Sequence, residues 1–137
     1  MRILFYSKAG HSEALAQAIA REHRCTSDQI PPAYPCEGEK LLMIGLESAK
    51  KPDKQVVAFC QDLTPERAKN VAFYVAGDST EVVEPLKEIV KQKGLNVVGD
   101  TYHCHLKTVL FSKKLTEADI QGVKDWAKQV VDSLIGK

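Results

Sequence analysis

Ser7, Lys8, Gly10 and Ser12 lie within one short stretch, and residues of these types together can bind an anion. The two hydroxyls are donors, Lys8 brings a full charge, and Gly10 permits a turn or a close ligand approach that a side chain would block. Immediately afterwards Leu15, Ala18 and Ile19 recur at helical spacing, so the stretch opens a helix. The first N–H groups of a helix have no partner within it, and the dipole is positive at that end. An apolar run at residues 2–6 leads into the turn, and the whole arrangement reads as a phosphate cradle. A strand-to-helix connection that binds nothing is the plain alternative.

Other chemistry-bearing residues are less organised. Glu47 and Asp78 follow apolar runs, where acid–base work could be done, but spacing pairs neither with a base or nucleophile, so both read as solvated loop residues. In His103-Cys104-His105 an extended backbone places the imidazoles on one side and the thiol on the other. Two histidines can begin a metal site, yet no further ligand stands at a suitable spacing, so they read as surface histidines. A contact with a ligand or redox partner stays open. The four cysteines, Cys25, Cys36, Cys60 and Cys104, lack the close pair spacings of zinc or thioredoxin motifs and read as free thiols. Cys60 falls in a helical apolar stripe and reads as core.

The elements that would position these groups alternate. Strands are expected at residues 2–6, weakly at 24–30, at 40–44 and 71–76, and from Leu95 through Gly99 to about Tyr102. Helices are expected from Glu13, after an Asp53 cap, from Val82 with Pro85 in its first turn, and after the capping pattern Thr116 to Asp119. Thr64-Pro65 opens a short turn before the fourth strand. Continuous apolar strands alternating with helices predict a parallel sheet covered on both faces, in a doubly wound layout. Ligands then sit beyond the carboxyl ends of the strands, at residues 7–12, 46–51, 77–80 and 102–107.

The chain has 137 residues, enough for one domain, and a net charge of +1 that selects no acidic partner. No basic block points to nucleic acid, no apolar run is long enough to span a bilayer, and no signal-peptide pattern precedes the first strand. A cytoplasmic protein without nucleic-acid or membrane partners is expected.

The residues Phe5-Tyr6-Ser7-Lys8-Ala9-Gly10-His11-Ser12-Glu13 resemble the phosphate loop of the flavodoxin-like family. Residues 71–78, 94–100 and 115–127 are similar to other parts of short flavodoxin-like domains. The resemblance implies a five-stranded parallel sheet of order 2-1-3-4-5, and FMN as cofactor in electron transfer with a protein redox partner. It implies that Ser7, Lys8, Ala9, Gly10, His11 and Ser12 surround the FMN phosphate. Leu46, Glu47 and Ser48 would line one side of the flavin ring, and Gly77, Asp78 and Ser79 the other. Three features depart from the pattern: Ala9 replaces a hydroxyl-bearing residue, neither ring-side loop holds an aromatic, and the chain is not acidic. They leave a second reading, a flavodoxin-fold binding or scaffolding module that has lost tight FMN affinity. The same loop resembles the phosphocysteine loop of sugar phosphotransferase B domains, but Ser7 stands where their nucleophilic cysteine would be.

Overall fold

The computed structural model describes residues 1–135. A parallel sheet runs β2 (Ser27–Gln29), β1 (Arg2–Tyr6), β3 (Glu39–Glu47), β4 (Ala68–Ala76), β5 (Asn96–Val97). The order is 2-1-3-4-5, as the resemblance implies. Helices α1 (His11–Glu22) and α4 (Glu117–Ile135) cover one face, and α2 (Lys54–Gln61) and α3 (Glu84–Gln92) cover the other.

Burial on both faces explains the uninterrupted apolar runs. Ile3, Phe5, Met43 and Tyr74 pack with Leu15, Ile19, Val123 and Ala127 of α1 and α4. Their chain neighbours Leu4, Leu42, Ile44, Phe73 and Val75 pack with Val56, Cys60, Leu86 and Val90 on the opposite face. Burial pushes the Cys60 thiol up to about 12, as expected for an inert core residue. The central pairing is further specified by Tyr74, which is fully buried and donates its hydroxyl to the Leu4 carbonyl at 3.0 Å. Its ring lies over Gly45, its register partner, where a β-carbon would fall 2.2 Å from the ring.

The caps follow the sequence. Asp53 accepts the Gln55 N–H at 2.9 Å at the start of α2. Thr116 and Asp119 exchange hydrogen bonds reciprocally, at 2.8 and 3.2 Å, before α4. A single 3-10 turn, Glu81–Val83, leads into α3, whose first turn holds Pro85. Thr64 accepts from Arg67 and Ala68, making the short turn expected there.

The structure differs from the expectations at three places. The last strand is not continuous from Leu95 to Tyr102: it is split into β5 and β6 (Tyr102–Cys104), both parallel to β4. Gly99, at φ 71, lets the intervening residues bulge out of register. Trp126 of α4 pins the bulge by donating to the Asp100 carbonyl at 2.7 Å. Residues beyond Cys104 are not simply loop: β7 (Lys107–Val109) and β8 (Ser112–Lys114) form an antiparallel hairpin with Leu110 and Phe111 exposed at its tip. The weak second strand is shorter than expected, three residues rather than seven, and Asp28 turns its side chain to the following loop. Among the described residues no helix is long and apolar enough to cross a membrane.

Candidate functional site

Strands β1, β3, β4 and β6 end on the same edge of the sheet, and their following loops meet there. The structure therefore brings together the residues assigned from sequence to the phosphate loop, 7–12, and to the two ring-side loops, 46–48 and 77–79. What several of them do there differs from the expectation, Glu47 most of all.

Gly10 precedes α1 at φ 88, and no side chain caps this helix start from within its own turn. The cap comes from Glu47, the last residue of β3. Because Tyr6 is the register partner of Leu46, Glu47 lies beside Ser7 across the β1–β3 seam. One carboxylate oxygen, Oε1, accepts the N–H groups of Lys8 at 2.8 Å and Ala9 at 3.0 Å. The other, Oε2, accepts the Ser12 N–H at 2.9 Å, the Ser12 hydroxyl at 2.8 Å and the Ser7 hydroxyl. Ser7 is itself oriented by the Gly10 N–H, which donates to its oxygen at 2.9 Å. Ser12 is completely buried.

Burial alone would raise the Glu47 carboxyl. The hydrogen bonds from the Ser7 hydroxyl, the Ala9 and Ser12 N–H groups and the Ser12 hydroxyl overcome it and hold the group at about 2. Glu47 is thus an ionised carboxylate seated in the cradle, where the helix dipole adds to its stabilisation.

The next residue ties the edge together on its other side. Ser48 donates its hydroxyl to the Ser79 carbonyl at 2.7 Å and accepts the Ser79 N–H at 3.1 Å. Gly77, at φ 130, leaves room for this contact: a β-carbon there would lie 2.3 Å from the Ser48 hydroxyl. Gly77 also donates its N–H to the Cys104 carbonyl at 2.9 Å. Asp78 and His105 form an exposed pair at 2.8 Å. His11 faces away from the cradle, with Nε2 3.1 Å from the Lys113 carbonyl of the hairpin, a contact it can make only as a donor. Lys8 is exposed, its Nζ 4.0 Å from the Asp53 carboxylate. Leu46 is buried in the α2–α3 core.

Two open cavities flank the Glu47–Ser48 pair. One, of about 360 Å³, is bordered by Tyr6, Lys8, Leu46, Lys51, Asp53 and Val82. The other, of about 390 Å³, is bordered by Ala9, His11, Gly77, Asp78, Ser79 and Lys113. Tyr6 is the one aromatic side chain bordering either. Among the described residues no group of three or more His, Cys, Asp or Glu side chains could hold a metal.

In this arrangement the cradle does not fit an FMN phosphate, because the donors that would bind it converge on Glu47. Sequence reasoning missed that role and placed Glu47 beside the ring or in solvent. The available signal was the alignment of strand ends. Two apolar runs end near Tyr6 and Leu46, and only the parallel register of β1 with β3 brings the residue after the second to the turn after the first.

Comparison with known proteins supports the fold. No family model and no curated protein matches the sequence. Among solved structures, flavodoxin 2 from Bacillus cereus is similar over 96% of this chain and 97% of its own, at 16% identity and a TM-score of 0.66. Rubredoxin oxygen:oxidoreductase from Desulfovibrio gigas is similar over 98% of this chain, at 17% identity and a TM-score of 0.68. A flavodiiron core from Synechocystis is similar over 96%, at 14% identity and a TM-score of 0.62. The chain spans only 36% of the length of each of these last two proteins. The fold is flavodoxin-like.

Proposed function

We propose that this flavodoxin-like chain is a binding or scaffolding module that does not hold FMN tightly. The observation that supports this reading is Glu47, whose carboxylate takes five donors of the phosphate loop. A phosphate entering beside it would meet a partly buried like charge, and one replacing it must first break those bonds. The ring-side loops add little compensation, since residues 46–51 and 77–80 contain no aromatic to stack on a flavin. The module would act in the cytoplasm through surfaces outside the closed edge.

The second reading is an FMN-dependent electron carrier serving a protein redox partner. It is favoured by the two cavities beside Glu47 and Ser48, which lie where the resemblance puts the ring. In that case Ser7, Lys8, Ala9, Gly10, His11 and Ser12 would receive the phosphate only after Glu47 had turned out. The cofactor would supply the redox chemistry, and the chain would supply binding and orientation.

Fluorescence titration of FMN with the purified protein separates the two. The module reading expects a colourless protein and a dissociation constant weaker than about 10 μM. A yellow protein that releases flavin on denaturation supports the carrier instead.

A further inference from the structure

We propose that the β7–β8 hairpin docks on an anionic lipid surface. Its Leu110–Phe111 tip enters the boundary between headgroups and acyl chains, and Lys107, Lys113 and Lys114 lie among the headgroups. The inference goes beyond the binding-module reading and holds whether or not the chain takes flavin.

Folding alone does not call for these residues. A two-residue hairpin turn that needs a positive φ forms most readily with glycine or asparagine. Here Leu110 takes that position, at φ 58, and Phe111 follows it. Both side chains are exposed and neither joins a core cluster, so the tip places two large apolar groups in water without stabilising the chain. The strands behind it carry a second conflict. Lys107 and Lys114 are register partners, so two ammonium groups leave the same face side by side, while Lys113 leaves the other face beside Thr108. Residues 101–116 contain no Asp or Glu. Among the described residues no carboxylate forms an ion pair with any of the three lysines. Asp78 and Glu47 border the same cavity as Lys113, but they are engaged by His105 and by the 7–12 turn.

The hairpin therefore presents an apolar end and, roughly 7 to 10 Å behind it, a collar of cations without partners. A bilayer with anionic headgroups has the complementary order, charge outside and acyl chains within. Lysine stems are long enough to keep the ammonium groups at headgroup level as the tip enters. The hairpin is a sheet of its own, and its base is held to the body where His11 Nε2 meets the Lys113 carbonyl at 3.1 Å. A second copy of the chain fits less well, because apposed tips set lysine against lysine. A protein groove fits less well too, since a stable complex buries roughly 800 Å² on each partner and a two-residue tip presents far less. The expectation of no membrane partner rests on net charge and on spanning length, and neither describes a local surface contact.

Vesicle co-sedimentation of the full chain tests this. The wild type is mixed with vesicles of pure phosphatidylcholine and with vesicles of phosphatidylcholine and phosphatidylglycerol in equal amounts, each at low and at high salt. The expected result is reversible binding to the anionic vesicles only, weakened by salt. Replacing Leu110 and Phe111 together by serine should lower the partition coefficient roughly tenfold or more. Replacing Lys107, Lys113 and Lys114 by glutamine should lower it roughly a hundredfold. All five side chains are exposed, so the fold does not depend on them. As a separate readout, the added emission of a Phe111→Trp variant should shift to the blue on the anionic vesicles and not on the neutral ones. Absence of binding to anionic vesicles, equal binding to neutral ones, or binding that the serine variant keeps in full would each overturn the inference. A dimer that forms with concentration and is lost in the serine variant would assign the tip to a second copy, and would overturn it as well.

Discussion

The Ser12 hydroxyl and the Ser12 N–H both donate to the same oxygen of Glu47, at 2.8 and 2.9 Å, joining the first turn of α1 to the end of β3. This double contact ties two elements that are 35 residues apart in the chain, and it is strongest to the ionised carboxylate. The edge of the sheet where ligands of such folds bind is thereby held by an internal ion.

Acid titration should reveal that ion. The Glu47 carboxyl is held at about 2, below its ordinary 4.5, so it stabilises the fold fully above pH 4.5 and loses that contribution as pH falls toward 2. Allowing for its partial exposure, the contribution is about 2 kcal/mol. Denaturant melts between pH 7 and 2 should show Glu47→Gln less stable at neutral pH and less sensitive to acid than the wild type. Parallel curves for the two proteins would contradict this assignment.

The contact between Gly45 and Tyr74 predicts a steric defect. A β-carbon at position 45 would lie 2.2 Å from the Tyr74 ring, with β-sheet backbone on either side. Gly45→Ala should cost about 3 kcal/mol. Tyr74→Phe removes the bond to the Leu4 carbonyl and should cost about 1 kcal/mol. Pairing Gly45→Ala with Tyr74→Ala should make the glycine substitution cheaper than it is alone. Chemical denaturation of the wild type, the Gly45→Ala, Tyr74→Phe and Tyr74→Ala single variants and the double variant measures all three effects, and strict additivity would show that the two residues do not collide.

At the start of α4 the reciprocal bonds between Thr116 and Asp119 satisfy two backbone N–H groups. Thr116→Ala should lower stability by about 1 kcal/mol and speed amide exchange in the first turn of that helix. Unchanged exchange at Asp119 and Ile120 would remove the cap from the account of this helix.

The hairpin tip should be energetically silent within the isolated chain. Phe111 is fully exposed and Leu110 nearly so, and no core cluster includes either. Phe111→Ser should change the unfolding free energy by less than about 0.5 kcal/mol. A larger loss in a denaturation experiment would place the ring against the body of the protein.

Much of this fold was legible because the sheet is buried on both faces. Residues 2–6, 40–44 and 71–76 had to be strands, and Asp53, Pro85 and Thr116 mark helix boundaries with identifiable chemistry. The bulge at Gly99 was not legible. Its residues read as strand until α4 and Trp126 are in place to hold them out. The hairpin at 107–114 carries no turn glycine and instead bends through Leu110 at φ 58, so local chemistry gave no warning. The site was legible as a donor set and illegible in its occupant. Donors follow from local sequence, whereas Glu47 arrives through the pairing of β1 with β3, a long-range relation.

The split of the fifth strand also bears on where another polypeptide could add to this sheet. An exposed strand margin is a template on which another polypeptide can add. Here one margin is β2, three residues long, with Pro31 and Pro32 following after Ile30. The other is broken between Val97 and Tyr102 by a bulge that α4 holds in place. Neither margin of this sheet offers a straight run of free amides to which another strand could pair.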